Sequence, residues 1–193
     1  REKKSRSGAT ASGGDAPPPS MEVADTPIKS PSQGAFRLGR QVALAALGRA
    51  RGASEPAGRV FEKAQTTASE LKVALAPLPT LTGDKTTDSA DALHYLLDTV
   101  GKPVANTLKA KHGAEAAAAF ELGIKLTLIN LLYLPHDSLG QTLGKVCDEL
   151  GGKAGLKSGT LQPLVSKIKA NRETPVVVSA ASDAARAIDQ ELS

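Results

Sequence analysis

The stretch that decides the fold is Ala114–Leu134, which reads AEAAAAFELGIKLTLINLLYL. As a helix it would span about 31 Å, since each residue adds ~1.5 Å, and that length matches the diameter of a small domain. Apolar side chains in its second half point to nearly every side, and such a helix is buried in a bundle or in a membrane. Glu121 and Lys125 lie near its middle, where a lipid-exposed span disfavours charge. We therefore predict a central helix covered by protein.

Helix signals recur on both sides of this stretch. Ser54-Glu55-Pro56 and Thr174-Pro175 have the cap and proline pattern that starts helices, and apolar residues follow each signal at helical spacing. Pro103 interrupts the helix predicted over Ser89–Lys111, and it will either kink that helix or divide it in two. The sequence therefore predicts an all-α protein, a single bundle of six to eight helices around the central apolar helix 114–134.

Charge is distributed unevenly along the 193 residues, whose net charge is +4. Residues 1–34 have a net charge of +1, residues 35–60 carry five Lys/Arg against one acid, and residues 61–193 carry 14 against 15. The first of these regions is rich in Gly, Ser, Ala and Pro, and it has too little apolar surface to offset the entropy of ordering. We predict three parts: a disordered or partner-ordered basic arm at 1–34, an Arg-rich helical arm at 35–59, and an α-helical bundle at 60–193.

The second region supplies the candidate binding residues. These are Arg37, Arg40, Arg49, Arg51 and Arg59. The planar arginine side chain can bind a phosphate through two parallel hydrogen bonds, which suits an RNA backbone, an anionic lipid or an acidic protein surface. The nearby aromatic residues, Phe36 and Phe61, fit better as core, so base-specific recognition is not supported. The alternative interpretation is a basic face that keeps the protein in solution.

The sequence contains no motif that predicts a catalytic, metal or cofactor site. Cys147 is the single cysteine, so no internal disulfide can form. The glycine-rich stretch Gly151–Ser158 lacks the Gly-Lys-Ser/Thr of a phosphate-binding loop and follows a predicted helix where that loop needs a strand. The three histidines are too far apart for a local metal motif. They are His94, His112 and His136.

These patterns favour a non-enzymatic structural or binding subunit. Its bundle would be anchored by the basic N-terminal arm to a larger protein or ribonucleoprotein assembly, through an RNA phosphate backbone or an anionic membrane surface, with no transmembrane segment. One alternative is a small-ligand-binding or catalytic bundle, with a pocket between Pro103 and the central helix near Tyr133 and Cys147. The other is a peripheral protein held on a membrane surface by Ala35–Arg51.

The first third of the chain also carries possible targeting and modification signals. Thr26–Ser54 contains no acid and several arginines, a composition typical of transit peptides, and Met21 is the only methionine. The expectation is an intracellular protein, with mitochondrion or plastid as the compartments indicated. Thr26-Pro27 and Ser30-Pro31 are candidate sites of proline-directed phosphorylation, which would reduce the positive charge. The alternative is an ordinary proline-rich linker.

Overall fold

The computed structural model describes residues 23–51 and 55–193, and of residues 55–58 only the backbone. The described chain forms eight α-helices without a strand, and a five-residue π turn, Tyr95–Thr99, joins the third helix to the fourth. The prediction of an all-α bundle is confirmed. The helices are α1 Pro31–Ala50, α2 Glu55–Leu71, α3 Lys85–His94, α4 Gly101–His112, α5 Ala114–Leu132, α6 Ser138–Lys153, α7 Gln162–Lys169 and α8 Thr174–Glu191.

Helix α5 contains the apolar stretch from which the fold was predicted. It packs against α1, α4, α6 and α8. Between Ala116 and Asn130 every residue is buried except Glu121 and Lys125, which are half-buried. The helix ends at Leu132 because the backbone of the next residue turns to an extended conformation, with φ −63° and ψ 127°. It is therefore slightly shorter than the predicted 114–134.

Helix α1 lies inside the bundle, although the sequence placed residues 35–59 in an arm preceding it. Every residue from Gln33 to Leu47 is buried, and the helix packs mainly against α5, α2 and α3. Burial on all sides is possible because its apolar residues are distributed around the helix, and because Gln33 and Arg37 find hydrogen-bond partners in α8. The apolar cluster that includes α5 contains Phe36, Leu38 and Val42 of α1. In the structure, α1 is thus part of the core.

Helices α1 and α5 cross at two glycines. A Cβ atom added to Gly39 would lie 2.2 Å from the carbonyl oxygen of Phe120, and one added to Gly123 would lie 2.3 Å from that of Phe36. These distances are far below van der Waals contact, so only glycine permits the two backbones to approach this closely. The same pattern, Ala-Phe-x-Leu-Gly, occurs in both helices, at 35–39 and at 119–123. Each helix therefore contributes the same five-residue pattern to the crossing, and the glycine of each lies against the phenylalanine carbonyl of the other.

The helix predicted around Pro103 is divided ahead of that proline. At the π turn the Val100 amide donates to the Tyr95 carbonyl at 2.8 Å, five residues back. Pro103 is the third residue of α4, where the backbone N–H has no partner within the helix, so its missing donor costs little. Within the π turn Leu96 is fully buried, whereas Leu97 is 40% exposed.

Candidate functional site

The five candidate arginines do not form one surface in the structure. Arg37 and Arg40 are buried, each with 3% of its surface exposed. Arg49 is half-buried, and Arg51 and Arg59 are exposed. The first two are therefore inaccessible to an external anion while the bundle is folded, and the accessible set is Arg49, Arg51 and Arg59.

Arg37 joins three parts of the chain through its guanidinium group. Its Nε and Nη2 atoms donate to the two carboxylate oxygens of Asp189 in α8, at 2.7 and 2.9 Å. Nη1 donates to the backbone carbonyl of Thr26, and Nη2 also donates to the Thr26 hydroxyl at 2.9 Å. Because the Arg37 and Asp189 side chains are only 4% and 13% exposed, they form a buried, two-pronged ion pair. Breaking such a pair leaves a buried charge without compensation.

Neighbouring polar groups extend this contact. Gln33 Nε2 donates to the backbone oxygen of Asp189 at 2.8 Å, and Gln33 Oε1 accepts from the Lys29 amide at 2.8 Å. The Ser30 hydroxyl accepts from the Gln33 amide at 3.0 Å, which caps α1, and donates to the Leu192 carbonyl. We call this set the N-terminal clasp. It consists of Thr26, Lys29, Ser30, Gln33 and Arg37 on one side and Asp189 and Leu192 on the other. The clasp holds the segment before α1 and α1 itself to the end of α8.

Arg40 is buried beside the clasp. Burial lowers its pKa to about 10, while the negative charge of Asp189 acts in the opposite direction. The side chain still carries its proton at neutral pH, because this pKa lies well above 7. Its Cζ atom lies 6.0 Å from the centre of the Phe36 ring, one turn earlier in α1, the outer limit of a cation–π contact. The contacts of Arg40 therefore lie within the bundle, and its role is to stabilise the fold.

Arg49 and Arg51 lie at the C-terminal end of α1, where positive charge is favoured by the helix dipole. Arg49 also lines a small recess that includes Asp88, and its charge helps to lower the pKa of that carboxyl group. The larger causes are hydrogen bonds. The Thr82 amide and hydroxyl donate to Asp88 at 2.7 and 2.8 Å, and the Gly83 amide donates at 3.1 Å. Asp88 thus fixes the loop that precedes α3.

Arg59 lies on α2 and lines a cleft of about 350 Å³ between residues 24–28, α1 and α2. The other charged residues of this cleft are Asp25, Arg37, Glu62, Lys63 and Glu70. Lys63 Nζ lies 3.2 Å from the carboxylate of Asp25, and both side chains are more than half exposed. Gln41 lines the inner part of the cleft, is 97% buried, and its Oε1 atom has no hydrogen-bond partner. The cleft is therefore a polar site of mixed charge beside the N-terminal clasp.

The alternative pocket was expected between Pro103 and the central helix, near Tyr133 and Cys147. In the structure, Val104 and Leu108 of α4 belong to the apolar cluster that includes α5. Cys147 is fully buried, and burial raises the pKa of its thiol to about 12. Tyr133 is 3% exposed and donates its hydroxyl proton to the Arg172 carbonyl at 3.2 Å. These side chains therefore pack as part of the core.

The histidines make separate contacts. His94 Nδ1 lies 3.1 Å from Asp98, and His112 Nε2 lies 2.9 Å from the Leu71 carbonyl at the end of α2. His136 contacts Asn171. Within residues 23–51 and 55–193 there is no group of three or more His, Cys, Asp or Glu residues that could hold a metal ion. The same part of the chain has no helix with both the length and the apolar character needed to cross a membrane.

Comparison of the chain with models of known protein families, with characterised proteins and with solved structures found no match.

Proposed function

We propose that this protein is a non-enzymatic structural or binding subunit, a helical scaffold that attaches to a larger protein or ribonucleoprotein assembly through positive charge in the first third of its chain. The observation that supports this proposal is the charge distribution. Residues 35–60 carry five Lys/Arg against one acid, whereas residues 61–193 are close to balance. An anionic partner would be attracted first to the basic part of the molecule.

Burial narrows the set of residues that can make this contact. Arg37 and Arg40 are buried within the bundle, so the arginines that can contact an external partner are Arg49, Arg51 and Arg59. The basic residues of the first six positions would add to it. They are Arg1, Lys3, Lys4 and Arg6. The proposed binding surface is therefore not an arm of consecutive residues. It combines the accessible arginines at the end of α1 and on α2 with the basic start of the chain.

RNA is the anionic partner we favour, because the arginine fork matches the phosphate group. Binding through Arg49, Arg51 and Arg59 would depend on salt, since each neutralised phosphate releases condensed counterions. For single-stranded RNA three such contacts give a slope of log K against log salt of about −2, which corresponds to roughly 20-fold weaker binding between 50 and 200 mM salt.

The test compares binding of a fluorescent single-stranded RNA of mixed sequence by the full chain and by an Arg49→Gln/Arg51→Gln/Arg59→Gln variant. A Lys145→Gln/Lys153→Gln/Lys169→Gln variant removes the same charge from exposed positions on α6 and α7 and serves as the matched control. The proposal predicts weaker binding and a shallower salt slope for the arginine variant only. Equal loss in the two variants, or no loss in either, would refute the assignment of these arginines.

A deletion tests the contribution of the first residues. A variant that begins at Val23 retains the N-terminal clasp and α1, whereas one that begins at Glu55 would lose α1 and with it part of the core.

Flotation of the full chain with vesicles tests the membrane alternative. Flotation with anionic but not neutral vesicles, abolished by the arginine substitutions and without RNA binding, would favour a membrane surface over RNA as the partner.

A further inference from the structure

Three serine or threonine residues of this chain directly precede a proline. They are Thr26, Ser30 and Thr174. The structure distinguishes them by their surroundings. Ser30 caps α1 and Thr174 is the first residue of α8, and both are half-buried. Thr26 is exposed and lies in residues 23–30, which form no helix.

This difference decides which hydroxyl a kinase can reach. A kinase must align the acceptor and the residues around it in an extended conformation. At Ser30 this requires loss of the helix cap and of the hydrogen bond to the Leu192 carbonyl. At Thr174 it requires unwinding the first turn of α8. At Thr26 the structure shows hydrogen bonds from Arg37 and no helix to unwind.

We propose that Thr26 is a site of proline-directed phosphorylation and that the folded protein itself holds the resulting phosphate, through Arg37 and Lys63. The γ-phosphoryl group of a nucleoside triphosphate is transferred to Thr26 Oγ1, the bond to the β-phosphate oxygen breaks, and the nucleoside diphosphate leaves. The hydroxyl proton passes to the catalytic base of the kinase. This inference does not depend on the proposed RNA-binding function.

The cationic partners for the phosphate are already in place. Thr26 Oγ1 lies 2.9 Å from Arg37 Nη2, so a phosphate on that oxygen would be attached next to a guanidinium group. Thr26 and Lys63 line the same cleft, and the present partner of Lys63 is the exposed carboxylate of Asp25. A phosphate with a charge of about −1.5 to −2 competes well against a solvated carboxylate for the lysine.

Anionic groups oppose this arrangement and must be weighed. Asp25, Glu62 and Glu70 line the cleft, and Asp189 shares Arg37 Nη2 with Thr26. Asp189 also binds Arg37 Nε, however, so its ion pair persists if Nη1 and one hydrogen of Nη2 turn to the phosphate. Hydrogen bonds between the guanidinium group and an ionised phosphate are stronger than those that the same guanidinium group makes to the uncharged Thr26 carbonyl and hydroxyl. We therefore expect phosphorylation to tighten the N-terminal clasp, slowing amide exchange in residues 23–30 about tenfold.

Phosphorylation of the folded chain tests the site. The full chain and a peptide covering residues 20–36 are each incubated with a proline-directed kinase and ATP, and mass spectrometry locates the phosphate. In the peptide both Thr26 and Ser30 accept phosphate. In the folded chain Thr26 is modified at least tenfold faster than Ser30 or Thr174, and Thr26→Ala removes the rapid incorporation. Comparable rates at the three positions, or no incorporation at Thr26, would overturn the proposal.

Amide exchange of the phosphorylated chain tests how the phosphate is held. Residues 23–30 should exchange about tenfold more slowly than in the unmodified chain. Lys63→Ala should reduce this protection, and Lys153→Ala, which removes an exposed lysine on α6, should leave it intact. Exchange that is unchanged or faster after phosphorylation, or protection that survives Lys63→Ala, would show that Arg37 and Lys63 do not bind the phosphate as proposed.

Discussion

Replacing Gly39 by alanine should destabilise the protein, although alanine is the better helix former. Gly39 lies in the middle of α1, and its added Cβ would be 2.2 Å from the Phe120 carbonyl oxygen and 3.0 Å from the Ile124 amide nitrogen of α5. Both atoms belong to the backbone, so no side-chain rotation can relieve the clash. The two helices must move apart by about 1 Å to restore a carbon–oxygen distance of about 3.3 Å.

Two opposing effects set the magnitude. Alanine is favoured over glycine by about 1 kcal/mol within a helix. Overpacking of a core costs typically 1 to 3 kcal/mol and sometimes more. A clash between the backbones of two buried helices belongs at the upper end, about 3 kcal/mol, so after the helix-propensity gain we expect a net loss of about 2 kcal/mol for Gly39→Ala, and a similar loss for Gly123→Ala. In a chain of this size that lowers Tm by about 4 to 8 °C.

Urea denaturation followed by circular dichroism measures this loss, and Gly152→Ala is the matched control. Gly152 lies in α6, is exposed, and its added Cβ would meet nothing within 4 Å, so alanine there should stabilise by up to about 1 kcal/mol. The Gly39→Ala/Gly123→Ala double variant should lose less than the sum of the single losses, because the first substitution already separates the helices. A Gly39→Ala variant as stable as the wild type would refute the close crossing.

Three further substitutions or treatments test other parts of the structure. Asp189→Ala should destabilise by about 3 kcal/mol in the same urea assay, because it leaves the buried guanidinium of Arg37 without its carboxylate; a loss below about 1 kcal/mol would contradict this role. Cys147 should not react with a thiol reagent at pH 8 until the protein is unfolded in urea, since its thiol is buried and its pKa is about 12; rapid modification of the native protein would contradict its burial. Hydrogen bonds from Thr82 lower the pKa of Asp88, so the stability it contributes is present above the pKa of an unfolded Asp and is lost as pH falls through its lower folded value. Asp88→Asn should therefore be less stable than the wild type at pH 7 and lose less stability between pH 5 and pH 2, whereas parallel pH profiles would show that Asp88 makes no such contribution.

Local sequence signals predicted the elements whose ends depend on neighbouring residues. The start of α2 at Glu55 and that of α8 at Thr174 agree with the predicted positions, and each helix has a proline in its first turn. The predicted cap Ser54 lies outside the described residues, and the cap position of α8 is occupied by Glu173, which makes no side-chain hydrogen bond there. The apolar stretch of α5 was recognised because its burial is visible in composition alone. Pro103 is compatible with either a kinked or a divided helix, so the sequence did not decide between them. The π turn that divides the helix has no comparable local signal.

The burial of α1 could not be predicted in the same way. Charged residues are seldom buried unless they are paired, so Arg37 and Arg40 indicated a solvated helix. The partner of Arg37 is Asp189, 152 residues further along the chain, and no local pattern connects them. Glycine is a weak helix former, so the sequence around Gly39 gives no local reason for a glycine there, whereas the close crossing with α5 requires it.

The sequence contains one local signal for the N-terminal clasp. Ser30 followed by Pro31 is a typical helix cap with proline in the first turn, and it was interpreted as a linker or a modification site. The contacts of Gln33 and Ser30 with the end of α8 depend on the fold as a whole. The assignment of Arg49, Arg51 and Arg59 to an anionic partner remains a proposal, for which the charge distribution is the support.

Hydrogen exchange of the backbone amides measures most directly whether α1 is an integral part of the core. If it is, amides between Phe36 and Leu47 exchange only when the whole bundle unfolds. Their exchange rates and urea dependence then match those of amides between Ala118 and Asn130 in α5. If α1 were an arm that detaches from a folded bundle, its amides would exchange orders of magnitude faster than those of α5 and with a weaker dependence on urea, and that result would contradict the structure described above.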